Sequence, residues 1–166
     1  ILNNFPLEEI ILHPRIGKDL YKGEANREKF EYLLPKWKHP IAYNGDLVNA
    51  EDLRNCQLRF KTVDHWMIGR ALISNPFLAE DITDVCLSTD AKMVRFRDFH
   101  DSLTEEYLSV LSGSSHLITR MRAFWEYFAL SFSNPHKVFK RIKKSNSIDK
   151  YHAAVRTNFS EESWLA

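Results

Sequence analysis

The sequence predicts an α/β unit built on a parallel sheet, followed by an all-helical module. Three observations lead there. A strand, a polar loop and a capped helical pattern recur three times in about eighty residues, which is the rhythm of a parallel α/β sheet. Beyond Asp90 the apolar residues switch to helical spacing. A chain of 166 residues with 44% hydrophobic content can bury one substantial core, or one core with a smaller satellite domain.

The first strand is read at residues 7–12, ending in the apolar trio Ile10, Ile11 and Leu12, the pattern of a strand covered on both faces. It runs into His13-Pro14-Arg15, which sets an imidazole and a guanidinium at the strand's C-terminal end; Pro14 stiffens the exit and holds His13 toward extended geometry. From the residues alone, His13 reads as an ordinary strand-end histidine with its ring satisfied. After Gly17 and Gly23, Asn26 is the N-cap of a helix with Phe30, Leu33 and Leu34 on one face. Pro35 and Pro40 bracket the link to the second strand, residues 41–43.

Asn44-Gly45-Asp46 follows that strand. Its glycine can take positive φ, and its backbone N–H groups can point outward toward an anion such as a phosphate. Asn-Gly is also a strong hairpin signal. A capped helical pattern comes next rather than a second strand, so the turn is read as joining strand to helix. Asn49 and Asp52 resemble a capping box for a helix continuing through Leu53 and Cys56. Residues 64–68 form the third strand, ending at Gly69-Arg70, and Ser74-Asn75-Pro76 opens another helix with proline at its first position. Ligands of parallel sheets sit at the strands' C-terminal ends. Those ends are His13/Arg15, Asn44-Gly45-Asp46 and Gly69-Arg70.

In the second half, Phe96, Phe99, Leu103, Tyr107, Val110 and Leu111 mark one helix, broken at Ser112-Gly113-Ser114-Ser115. Ile118, Met121, Trp125, Phe128 and Phe132 mark a second. Asn134-Pro135 starts a third with Val138, Phe139 and Ile142 inside, and Ser147 caps a fourth with Ile148, Tyr151 and Val155. These aromatics are read as core, not as base-stacking groups. His136, Lys137, Lys140, Arg141, Lys143, Lys144 and Lys150 gather over little more than one helix, opposed in that span only by Asp149. A helix face of one sign favours phosphate contact. Arg120 and Arg122, on the preceding helix, extend this surface if the two helices are antiparallel neighbours.

The net charge of +1 carries no message by itself, but its distribution does. Through Asp90 there are 11 Lys and Arg against 14 Asp and Glu; from Ala91 onward there are 12 against 8, which points to a polyanion partner for the C-terminal part. Cys56 and Cys86 lie far apart without C-x-x-C spacing, arguing against a disulfide scaffold or a zinc site and fitting a reducing, cytoplasmic setting. No apolar run approaches membrane-spanning length, and no leader pattern is read. The chain begins at Ile1 without a methionine, the expectation being a processed or truncated piece of something longer.

Four segments in order, Ile10-Ile11-Leu12-His13-Pro14-Arg15, Tyr21-Lys22-Gly23-Glu24-Ala25-Asn26, Tyr43-Asn44-Gly45-Asp46 and residues 67–76 (Met-Ile-Gly-Arg-Ala-Leu-Ile-Ser-Asn-Pro), resemble the successive C-terminal motifs of the tRNA-dihydrouridine synthase family. The helical remainder resembles that family's tRNA-binding domain. The resemblance implies a TIM-type (β/α) barrel of which residues 1–88 hold the C-terminal part, with three parallel strands, and a helical bundle domain at 89–166 that binds tRNA. It implies FMN over the barrel mouth, touched by His13, with Arg15 nearby facing flavin or uridine. The FMN phosphate would rest on backbone N–H groups of Asn44, Gly45, Asp46, Gly69 and Arg70. It further implies NADPH as reductant, hydride delivery to C6 of a uridine turned out of the tRNA fold, and protonation of C5 by a cysteine. The RNA-binding residues would be Arg120, Arg122, Lys137, Lys140, Arg141, Lys143 and Lys144.

The sequence also departs from the family pattern. Ala71 stands where a glycine commonly follows the Gly-Arg pair, and Ile16 where a threonine often follows His-x-Arg. The catalytic cysteine, with the flavin-contacting lysine and glutamine, falls outside this chain, and neither Cys56 nor Cys86 is placed to replace it. The chain alone is therefore expected to be inactive. Three parallel strands cannot close a barrel, so the sheet is expected to leave unpaired edges and to self-associate or belong to a longer polypeptide. Two alternatives stand beside this reading: an RNA-binding module without flavin chemistry, and another FMN-barrel oxidoreductase acting on a small metabolite.

Overall fold

A computed structural model describes residues 1–19, 23–83, 85 and 87–165; Tyr21 and Lys22 of the second quoted motif, and Cys86, lie outside the described residues. The chain is a mixed α/β protein, mostly helical, with three parallel strands in an open sheet, and it divides into two compact units, Ile1–Gly69 and Arg70–Ala166.

In the first unit the strands are β1 (Ile10–Leu12), β2 (Ile41–Asn44) and β3 (His65–Met67), in the order β1-β2-β3. The register sets Leu12 beside Tyr43 and Tyr43 beside Trp66. Helices α1 (Arg27–Leu33) and α2 (Ala50–Arg59) follow the first and second strands. Both caps form as the sequence predicts: Asn26 accepts from the Lys29 amide, and Asn49 from that of Asp52. The Asp52 carboxylate reaches back to the Val48 amide at 3.3 Å, one residue short of the usual capping-box target.

Ala42 and Tyr43 are adjacent in β2 and both buried, so the central strand is covered on both faces. Tyr43 packs edge-on against Phe30, ring centroids 4.7 Å apart, and both meet Phe60. Burying each such ring contributes about 1.5–3 kcal/mol. The first strand is shorter than expected, and Ile11 is 55% exposed, so in this chain β1 is not covered on both faces. The reason is its place at an edge: among the described residues it pairs only with β2.

The second unit contains α3 (Arg70–Ser74), α4 (Leu78–Ile82), α5 (Thr89–Val110), α6 (Ser114–Phe128), α7 (Pro135–Lys143) and α8 (Ile148–Glu161). The expected helix opening at Ser74-Asn75-Pro76 is corrected here. A helix already begins at Arg70, and α4 starts only at Leu78; Asn75 turns the chain between them, accepting from the Phe77 amide and donating to Asp81. That carboxylate also pairs with Lys92 at 2.8 Å, which fastens α4 to α5.

Asn134 and Ser147 cap α7 and α8 as the sequence predicts. Phe96, Leu117, Met121, Trp125, Phe128, Phe132, Val138 and Ile142 fill one core. Phe132 stands outside the second expected helix: α6 ends at Phe128, and Phe132 bridges antiparallel to Trp164 near the C-terminus. Within this core the Tyr151 hydroxyl accepts from Trp125 Nε1 at 3.1 Å and lies 2.7 Å from His100 Nε2, while His100 Nδ1 lies 2.9 Å from Asp101. A hydroxyl donating to Nε2 and an Nδ1–H donating to Asp101 describe a neutral imidazole. Burial pushes the Tyr151 phenol far above its ordinary range and His100 below its own, Asp101 opposing the latter.

Candidate functional site

The C-terminal ends of β1 and β2 are joined by one carboxylate. Asp46 accepts from Arg15 Nη2 through both of its oxygens, at 2.8 and 2.6 Å, and from the Ala25 amide at 2.6 Å. Arg15 is thereby held with its side chain only 6% exposed. The Asn26 amide donates to the Pro14 carbonyl at 2.7 Å, so the segment after the loop is tied to the first strand end as well.

Gly45 makes this approach possible. It has φ +151, and a Cβ placed on it would lie 2.8 Å from Ala25 Cβ and 3.2 Å from the Tyr43 hydroxyl. Asp46 follows at φ +47, a left-handed conformation that aspartate tolerates better than most residues. Asn44 donates from Nδ2 to the Met67 carbonyl at 2.8 Å, which ties the turn to the end of β3, two residues before Gly69. Gly69 has ordinary backbone geometry and open space where a Cβ would stand. Arg70 is exposed and begins α3.

The structure thus brings His13, Arg15, Asn44, Gly45, Asp46 and Gly69 to the C-terminal side of one sheet. The Asp46 carboxylate is engaged with Arg15 and Ala25, so what the turn offers a ligand is backbone. Three buried nitrogens remain at the end of β1, His13 Nε2, Arg15 Nε and Arg15 Nη1, with no hydrogen-bond partner among the described residues. His13 is therefore not the satisfied histidine that its position alone suggests. A buried donor left unpaired costs about 1–3 kcal/mol, so such a group of nitrogens marks a place for an acceptor-rich molecule. Cys56 is buried inside α2, and burial pushes its thiol up, which is no setting for a proton donor to substrate.

The basic run on α7 is of one sign only along the sequence. Glu161 and Glu162, at the end of α8 and just past it, return to it: Lys137 Nζ lies 2.8 Å from Glu162, and Arg141 contacts Glu161, Glu162 and Asn158. Lys137 holds the Glu162 carboxyl below its usual range and is itself raised by the same bond. Arg122 donates to the Ser145 carbonyl at 3.2 Å, and Arg120 lies over the Tyr107 ring. Lys140, Lys143 and Lys144 are exposed and have no carboxylate partner among the described residues. Sequence reasoning missed Ala25, Glu161 and Glu162. Ala25 carried a signal in being small beside a left-handed turn; the two glutamates carried none, lying about twenty residues from the bases they meet.

The dihydrouridine synthase family model matches residues 3–162. A tRNA-dihydrouridine(16) synthase of Shewanella oneidensis is 26% identical over 137 residues, covering 81% of this chain and 42% of that protein. A tRNA-dihydrouridine(16) synthase of Pseudomonas syringae pv. tomato is 35% identical over 74 residues, 45% of this chain and 23% of the relative. A tRNA-dihydrouridine synthase B of Pasteurella multocida is 29% identical over 72 residues, 43% of this chain and 21% of the relative. The chain accordingly spans less than half the length of these relatives. With the match running over nearly its whole length, the chain belongs to the dihydrouridine synthase family.

Proposed function

We propose that this chain is the C-terminal portion of an FMN-dependent tRNA-dihydrouridine synthase that reduces the C5=C6 bond of a uridine in tRNA. Residues 1–88 would be the last three strand–helix units of a TIM-type barrel and 89–166 the tRNA-binding domain. The observation that carries the cofactor reading is the set of buried nitrogens, His13 Nε2 with Arg15 Nε and Nη1, that have no partner among the described residues and lie beside a left-handed strand-end turn. Those residues fit a flavin: His13 and Arg15 offer nitrogens suited to ring carbonyls and ring nitrogens. The backbone at Asn44, Gly45, Asp46, Gly69 and Arg70 suits a phosphate.

When bound, FMN supplies the hydride, renewed from NADPH. The chain's own residues bind and orient; the cysteine that protonates C5 is assigned to the rest of the protein, which leaves this chain inactive alone. Lys140, Lys143 and Lys144 would meet tRNA phosphates, recognising backbone and shape rather than sequence. A cytoplasmic location and pairing of the open sheet edges, with another copy or with the remaining strands, complete the proposal. Among the described residues no helix is long and apolar enough to cross a membrane.

Titrating FMN into the purified chain, followed by flavin fluorescence, tests the cofactor reading. Saturable quenching supports it, and its absence at high micromolar chain rejects it for this portion. A second reading, an RNA-binding module without flavin, is favoured by the exposed lysines of α7. It predicts steeply salt-dependent tRNA affinity with no flavin response.

A further inference from the structure

Asp46 looks at first like one more residue of the anion-binding turn, but its carboxylate is directed into the protein. Both oxygens accept from Arg15 Nη2, and Oδ2 also accepts from the Ala25 amide. Three chain segments that share no secondary structure, 13–15, 25–26 and 44–46, converge on this group. Gly45 lets them come together, since any side chain there would strike Ala25.

The pairing also limits what Arg15 can do. With Nη2 engaged by Asp46 at 2.6 Å and the side chain almost wholly buried, the guanidinium is fixed in one orientation. Its Nε and Nη1 are left on the remaining sides, unpartnered among the described residues. A planar fork held on one side by a carboxylate presents its other donors with little entropy left to lose.

We infer that Asp46 is a positioning residue: its carboxylate locks the Arg15 guanidinium and the 44–46 turn against the 25–26 segment, so that the Arg15 donors and the turn backbone are organised before an acceptor-rich ligand arrives. This rests on the cofactor reading above for the identity of the ligand, but not for the lock itself. Asparagine at 46 keeps the size and the tolerance of left-handed φ while removing the charge, and so separates the carboxylate's part from the backbone's.

The experiment has two arms. Hydrogen exchange on the ligand-free chain, wild type against Asp46→Asn, reads the lock directly. The amides of Ala25 and Asn26, bonded to Asp46 and to the Pro14 carbonyl, should exchange at least tenfold faster in the variant, while those of α1 and α2 stay unchanged. Uniform acceleration over the whole unit, or none, overturns the inference whatever FMN does. FMN titration then reads the consequence. Asp46→Asn and Arg15→Gln should each weaken binding about tenfold to hundredfold, the scale of a charge-assisted hydrogen bond, and the double variant no further than either alone. Val63→Ala, a core change in the same unit remote from the turn, controls for general destabilisation and should leave FMN affinity unaltered. Additive losses, or equal losses in the Val63 variant, also overturn the inference. If wild type binds no FMN while exchange at these two amides responds as expected, the cofactor reading fails and the lock stands.

Discussion

Gly45→Ala tests the strand-end geometry most sharply. The added Cβ would stand 2.8 Å from Ala25 Cβ, a separation that must open by roughly an ångström to reach ordinary van der Waals contact, and 3.2 Å from the Tyr43 hydroxyl. Tyr43 is a buried core side chain and Ala25 is tied to Asp46 through its amide, so neither yields freely. Overpacking of this kind costs about 1–3 kcal/mol. Placing an L-residue at φ +151 adds roughly 1–2 kcal/mol of backbone strain. The expected destabilisation is therefore about 2–5 kcal/mol, a large fraction of the stability of a small domain. Urea unfolding followed by Trp fluorescence measures it. Ala25→Gly in the same chain removes the atom in the way but not the strain. The double variant should recover the overpacking part, giving a favourable coupling of at least about 1 kcal/mol between the two sites. A loss under about 0.5 kcal/mol for Gly45→Ala, or no coupling with Ala25→Gly, would refute the close approach on which the strand-end description depends.

Gly69→Ala is the contrasting case: with nothing within 4 Å of its Cβ position, it should leave stability within about 0.5 kcal/mol of wild type in the same urea assay, so that any change in FMN affinity reports ligand contact alone. Lys140, Lys143 and Lys144 changed together to Ala should lower the slope of log affinity against log salt for tRNA by about 2–3, at roughly 0.7–0.9 per phosphate contact, with little effect on Tm. Lys137→Ala with Arg141→Ala should chiefly lower Tm, because their charges are tied to Glu161 and Glu162. His100 is held below its ordinary pKa of 6.5 by burial, so the unfolded chain takes its proton first as pH falls. The stability it contributes is complete above about pH 6.5 and is lost as pH drops toward the folded value, by at most about 1.4 kcal/mol per pH unit. Thermal melts between pH 7.5 and 5 should therefore be flatter for His100→Gln than for wild type, and equal slopes would count against a buried neutral imidazole.

Much of the local structure is legible because its causes are local. Asn26, Asn49, Asn134 and Ser147 cap helices because a short polar side chain can reach an amide three residues on, whatever lies beyond. Where a boundary depended on distant contacts, local signals misled. Ser74-Asn75-Pro76 carries every mark of a helix start, yet Asn75 turns to Asp81 and the chain is already helical from Arg70. The apolar trio of β1 marks a strand built for burial, but coverage comes from neighbours, and at the edge of this sheet Ile11 remains open.

By itself the sequence determined the order of the three strands, the capped helices after the first two, the four helices beyond Asp90, the positive-φ turn after β2 and the family motifs, because each is written in adjacent residues and short-range sterics. Only the tertiary structure decided which charges are available. It joined Asp46 to Arg15 across thirty-one positions and returned Glu161 and Glu162 to the basic helix α7. Lys140, Lys143 and Lys144 were left to face solvent. Electrostatic partners are chosen by proximity in space, and the chain's path through space is settled by the whole core rather than by any one segment.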